Sequence, residues 1–200
     1  MFEWIAGVIA QLGYVGVASL TFLENVFPPI PSELILPLAG YVAATGQLTL
    51  GVVIAAGTLG SLAGATFWYV LAKRAGEARF REWVRRHGRW LTLSVTDVDR
   101  AQLWFKRRGR WAVLIGRMIP GVRTFVSLPA GFSAMPWATF VLYSMIGTLA
   151  WTAALVYAGA ILQANFGVVA RYIDIATNML VAAVALILVV RYVRCFREPA

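Results

Sequence analysis

The chain has 200 residues, 60% of them hydrophobic and 14% charged, with a net charge of +9, one cysteine and one histidine. Residues 34–72 and 124–170 contain no Asp, Glu, Lys or Arg. Such runs far exceed the ~20 apolar residues that cross a bilayer, which excludes a soluble domain with charge interleaved through its core. Cys195 alone cannot form an intramolecular disulfide, and His87 alone offers no metal-ligand cluster.

Residues 2–12, FEWIAGVIAQL, predict a short apolar helix with Trp4 suited to an interface. Gly13 and Gly16 lead into 14–24, too short to span alone, and a break is expected at Asn25, Pro28, Pro29 and Pro31. Ser32 is a good N-cap, and Glu33 meets the positive end of a helix over 33–45 that contains Pro37. Two half-length helices around a break predict a re-entrant hairpin over 14–46. Residues 49–72 predict a full transmembrane helix, with Gly57, Gly60 and Gly64 on one flank for close helix packing, within the chain in preference to between two copies. Lys73 and Arg74 stop it. The region 73–110 is polar, amphipathic and helical in pattern, and its Trp83, Trp90, Trp104 and Phe105 suit a membrane surface. Thr96, Asp97 and Asp99 mark a helix start within it. A second hairpin, 110–135, is expected to break at Pro120 and Gly121, followed by spans at 137–162 and 175–193.

Twelve of the eighteen Lys and Arg lie between Lys73 and Arg110, and three more are Arg191, Arg194 and Arg197. Basic loops mark the cytoplasmic side and touch anionic headgroups, which explains the charge better than nucleic acid does. Loop 73–110 and the C-terminus are therefore assigned to the cytoplasm. By parity the second hairpin enters from the cytoplasmic face and the first from the outer face. The N-terminus carries Glu3 and lacks a basic n-region, a small-residue cleavage site before Glu24 and any transit signature. The expected location is a bacterial inner membrane.

The two hairpins echo each other. Counting back from Gly40 and Gly131, Pro29 and Pro120 fall at the same offset, and SELILPLAG lies against RTFVSLPAG. Related units inserted in opposite senses characterise transporters with a midplane site between broken helices. The expected fold is a single all-α integral membrane domain over 1–200. Repeat 1 covers about 14–72, repeat 2 about 110–162, with some three full transmembrane helices in all.

Each hairpin also carries charge within apolar sequence: Glu24 and Glu33 around the first prolines, Arg117 and Arg123 around Pro120. Proline inside a helix costs about 3 kcal/mol, and an intramembrane charge about 2.5–3.5 kcal/mol on insertion scales. A mere anchor needs neither. Broken backbone can turn both members of each pair inward, and Glu–Arg contact between hairpins is the simplest resting arrangement. The pairs then either staple the fold or bind an anion. Guanidinium forks match phosphate oxygens and stay charged in a dry site. A half-helix beginning near Arg123–Thr124 would add free N–H groups, and buried carboxylates can take up protons because burial disfavours their charged form. No Walker, Rossmann or nucleophile-elbow motif is present. No cofactor or metal is expected, and Ser32, Thr124 and Ser127 have no histidine partner in sequence reach, so no enzyme is expected.

The segments FLENVFPPIPSELILPLAG and GRMIPGVRTFVSLPAGFSAMPWATF, in this order and separation, resemble the DedA family, also called SNARE-associated or VTT-domain proteins, over about residues 14–160. The resemblance implies two opposed re-entrant hairpins and transport of lipid phosphates. Bacterial members recycle undecaprenyl phosphate across the inner membrane, and distant eukaryotic relatives scramble phospholipids. It further implies essential embedded acidic residues and two arginines, with proton-motive coupling. Those roles fall on Glu24, Glu33, Arg117 and Arg123, although some members place the second acidic residue further from the first. The expected function is a proton-coupled flippase for a polyprenyl phosphate, with Arg117, Arg123 and Thr124 on the phosphate and Glu24 and Glu33 as proton-linked gates. Competing readings are a general phospholipid scramblase, a proton-coupled exporter of small ions or drugs, a lipid-phosphate enzyme and a passive scaffold. A homo-oligomer is compatible with each.

Overall fold

Two glycines divide the apolar sequence where it would otherwise run on as helix. Gly13 adopts φ 54°, ψ −127° inside the first helix, and Gly76 adopts φ 75° after the third, its N–H closing on the Ala72 carbonyl at 3.0 Å. Both conformations strain any residue with a Cβ. The structure, a computed structural model, describes residues 2–27, 32–82, 85, 95–119 and 122–161. Within them the order is α1 (Phe2–Val26), α2 (Ser32–Ala44), α3 (Leu50–Ala75), α4 (Val95–Arg108), α5 (Arg110–Arg117), α6 (Ser127–Phe132) and α7 (Trp137–Ile161). Residues 77–82 are also helical, and no strand occurs among the described residues.

Trp4–Val26, Leu50–Ala75 and Trp137–Ile161 are long and apolar enough to cross a membrane. The first was expected as two separate short pieces. Gly13, with its non-helical φ and ψ, does divide it there, and the two pieces meet at a kink without an intervening loop. The piece after the kink, 14–26, is about 20 Å long, short of the ~30 Å hydrocarbon core. Asn25, expected at the break, is helical, and the helix ends one residue later. Helix α4 begins at Val95, ahead of the Thr96 cap expected for it, and Asp99 on it pairs with Arg81. The expected break residues Pro28, Pro29, Pro31, Pro120 and Gly121, the aromatics Trp83 and Trp90, and the span 175–193 lie outside the described residues.

Small residues set how the helices meet, and the set occurs twice. Helix α1 packs on α3 as α5 packs on α7, while α2 crosses to α7 and α6 crosses to α3. A Cβ on Gly60 would strike the Ala18 carbonyl and Thr21; one on Gly147 would strike the Leu114 carbonyl and Arg117. Gly40 abuts Val156, nine residues beyond Gly147, and Gly131 abuts Tyr69, nine beyond Gly60. Gly64 of the same α3 flank takes Phe22 and Asn25, so this glycine stripe packs inside the chain. One apolar core joins α1, α2, the start of α3 and Val156 of α7. A second joins the end of α3 to α4, α5, α6 and Phe140. The polar residues described next occupy the level between them.

Candidate functional site

The last turns of α1 supply one wall. Gly60 and Gly64 bring α1 backbone against α3, which buries Thr21, Glu24 and Asn25 in what would otherwise be a lipid-facing helix. Asn25 is used three times: its Nδ2 donates to the Thr21 carbonyl at 3.1 Å, its carbonyl accepts from Trp68 Nε1 at 3.0 Å, and its Oδ1 accepts from Arg117 at a long 3.5 Å. The Trp68 bond satisfies a carbonyl that the ending helix leaves open.

Arg117 closes α5 and is only 2% exposed. Its Nη2 donates to Ser127 Oγ at 2.7 Å, and its guanidinium lies 5.7 Å from the centre of the Phe140 ring, within cation–π range. It has no carboxylate partner among the described residues, and its Nε has no hydrogen-bond partner there. Arg123 lies in the turns between α5 and α6, where its N–H bonds the Ile119 carbonyl at 3.2 Å. Its guanidinium pairs with Glu24, whose other oxygen, Oε2, is buried without a partner. Glu24 is 2% and Arg123 8% exposed. The three buried charges among the described residues thus sum to one net positive charge.

A cavity of about 10 Å³ joins Asn25, Ser61, Arg117, Arg123, Thr148 and Trp151. Of the four charges expected to meet, Glu24, Arg117 and Arg123 do. Glu33 is half-buried in the first turn of α2 with no ion pair among the described residues, and Thr124 is half-buried with no hydrogen bond among them. The half-helix expected to start near Arg123–Thr124 begins at Ser127 and has six residues. It is too short to bring an extended dipole to bear at Arg123. Sequence reasoning also passed over Asn25 as a ligand of arginine, and over Ser61, Thr148 and Trp151. For Thr148 a signal is present in α7, where Ser144, Thr148 and Thr152 recur every fourth residue in an otherwise apolar helix. Among the described residues no group of three His, Cys, Asp or Glu side chains can hold a metal.

Residues 30–161 match the family model of the VTT domain. An alkaline phosphatase-like protein of Lactococcus lactis subsp. cremoris is 36% identical over 190 residues, covering 94% of this chain and 89% of its own. Undecaprenyl phosphate transporter A of Staphylococcus aureus is 34% identical over 167 residues, 84% of this chain and 82% of its own. The protein of that name in Bacillus subtilis is 28% identical over 151 residues, 76% and 72% of the two chains. No solved structure matches the chain. A family match over more than half of the sequence, joined to relatives that align along most of both chains, makes this protein a member of the VTT-domain, or DedA, family of membrane proteins.

Proposed function

We propose that the protein carries a lipid phosphate across the membrane, with undecaprenyl phosphate as the favoured substrate and proton uptake by Glu24 as the coupled step. The observation that carries this reading is Arg117, a buried guanidinium with no carboxylate beside it among the described residues. A buried ion without a counterion is strongly disfavoured; a phosphate supplies the missing charge and the oxygens that match the guanidinium fork. The names of the two transporter relatives point to the same ligand.

The cycle follows from the pairings. Glu24 holds Arg123 at rest. An arriving phosphate competes for both arginines, and protonation of Glu24 removes its claim on Arg123. The cavity between the arginines, about 10 Å³, admits one water and no phosphate, so binding requires the hairpins to part. The repeated contacts of α1, α2 and α3 with those of α5, α6 and α7 support two oppositely inserted units that open alternately. Glu33, at the head of α2, is the second gate carboxylate in this reading, and Thr124 joins the phosphate site once it opens. The lipid tail stays in hydrocarbon, and an apolar groove of about 540 Å³ along Ala18, Phe22, Leu23, Leu59 and Ala63 offers it a seat beside the head. The basic loop and tail face the cytoplasm of a bacterial inner membrane.

The Lactococcus relative's name raises a phosphatase reading. Family membership and the names of the transporter relatives support a membrane transporter over an enzyme. Reconstituted liposomes provide the test. Undecaprenyl phosphate is expected to flip faster than phosphatidylglycerol, and Arg117→Ala or Arg123→Ala should abolish the difference. Equal rates for both lipids would favour a general scramblase, and flipping untouched by both substitutions would remove the proposed receptor.

A further inference from the structure

Helices α3 and α7 run antiparallel and in register. Tyr69 stacks on Phe140 at 4.3 Å between ring centres, Ser61 and Thr148 share a cavity, and Gly57 meets Thr152. Each step is a multiple of four residues on both helices, in opposite directions. The seam is therefore layered: Tyr69 with Phe140, Ala65 with Ser144, Ser61 with Thr148, Gly57 with Thr152, Val53 with Val156, all buried. It is apolar at both ends and polar between.

The polar middle is not satisfied by protein. The seam hydroxyls of Ser144 and Thr152, the hydroxyl of Thr58 one residue after Gly57, and the indole N–H of Trp151, which lines the arginine cavity, have no hydrogen-bond partner among the described residues, although Ser144 is 0%, Thr152 1% and Thr58 5% exposed. A helical hydroxyl can satisfy itself on the carbonyl four residues back, as Thr21 and Thr66 do. These do not. Thr148 and Thr152 are separated by a rise of about 6 Å, too far for a direct bond and close to two hydrogen bonds of about 2.8 Å through one water. The arginine cavity, about 10 Å³, has the size for one water more.

We propose that this seam binds a file of water, running from the arginine cavity past Trp151, Thr58 and Thr152 to the Val53–Val156 layer, and that the file delivers protons to Glu24. It rests on the reading of Glu24 as the proton-linked carboxylate. A proton enters when the valine layer parts, each water passes one on, and Glu24 Oε2 takes the last. The carboxylate becomes a neutral acid and releases Arg123. The direction follows from the groups at each end. Val53 is the fourth residue of α3, so one aliphatic layer separates the file from the helix start. The other end is closed by the Tyr69–Phe140 stack, with Tyr69 donating to the Met135 carbonyl and the Lys73 ammonium 3.5 Å from its oxygen, a cation that opposes proton entry. Arg123 is the charged group paired with Glu24 among the described residues, Arg117 is held on the neighbouring Asn25, and Glu33 stands at the head of α2.

The test uses the full chain in lipid and infrared detection of the Glu24 carboxylic-acid band, assigned by its loss in Glu24→Gln. After a rapid pH drop, Thr58→Val and Thr152→Val should slow the appearance of the band about tenfold or more, a barrier increment of one tenfold step or above, while its final amplitude is unchanged. Thr152→Ser should restore the rate, and Ser144→Ala, on the far side of the cavity, should leave it alone. An unaltered rate in the Thr58→Val/Thr152→Val double variant overturns the file, and slowing by Ser144→Ala alone overturns its direction. A band that never forms in the parent protein defeats the proton-linked reading of Glu24 itself, and the file with it.

Discussion

Glu24 and Arg123 form a pair whose worth differs by question. Removing one partner leaves the other ionised in a buried site, which costs about 3–5 kcal/mol. Arg123→Ala should therefore lower the thermal midpoint of the detergent-solubilised protein sharply, and Glu24→Ala/Arg123→Ala should recover most of the loss. If the pair only stapled α1 to the turns after α5, the double variant would also transport. We expect it to fold and not to flip undecaprenyl phosphate. Arg117 answers a different question, because its contacts are Ser127, Asn25 and the Phe140 face. Lysine keeps the charge but cannot hold Ser127 and Asn25 together on one planar fork. Arg117→Lys should fold as well as the parent yet lose flipping; retained flipping would mean that charge alone suffices.

Among elements, the helices meet where glycine lets backbone approach backbone. A Cβ on Gly40 would strike the Val156 carbonyl, and one on Gly131 the backbone of Tyr69 and Lys73. A carbonyl within a helix cannot swing aside as a side chain can, so Gly40→Ala and Gly131→Ala should each cost about 1–3 kcal/mol and separate α2 from α7 or α6 from α3. Gly51, with open space around its Cβ position, is the control: Gly51→Ala should be neutral or stabilising by about 0.5–1 kcal/mol. Equal destabilisation at all three sites, in thermal melts, would contradict this account.

These elements also show what sequence could reveal. Hydropathy located α3 and α7, and Lys73 and Arg74 marked the end of α3, because charge acts locally; the cap at Gly76 was not read from the sequence. The charges of Glu24, Arg117 and Arg123 stood out against apolar neighbours, so their convergence was legible. The partners of Arg117 were not. Asn25 sits 92 residues away, and the register of α3 on α7, which lines up Ser61 with Thr148, is decided by packing between distant segments. Glu33 carried two signals: its place in the first turn of α2 was legible from the helix N-terminus, whereas charge within a hairpin left its distance from the arginines open.

At the scale of the whole molecule, the apolar length of α3 and the basic residues after it imply that the α2–α3 turn and the region beyond Gly76 lie on opposite sides of the membrane. The energetic reason is plain. Lys73 and Arg74 lie in the last turn of α3 and Arg79 and Arg81 follow within two turns, and drawing them through hydrocarbon would cost at least about 2.5–3.5 kcal/mol each. Gln47 is exposed in the α2–α3 turn and Arg79 is exposed after α3, so each can report its side. With the native Cys195 replaced by serine, Gln47→Cys should react with a membrane-impermeant maleimide in intact cells, and Arg79→Cys only after the membrane is permeabilised. Because α7 is antiparallel to α3 in the register shared by Tyr69 with Phe140 and Gly57 with Thr152, Trp137→Cys should label with Arg79→Cys and not with Gln47→Cys. Labelling of all three from one side would mean that neither helix crosses. The alternating exposure proposed for Arg117 and Arg123 would then have no structural basis.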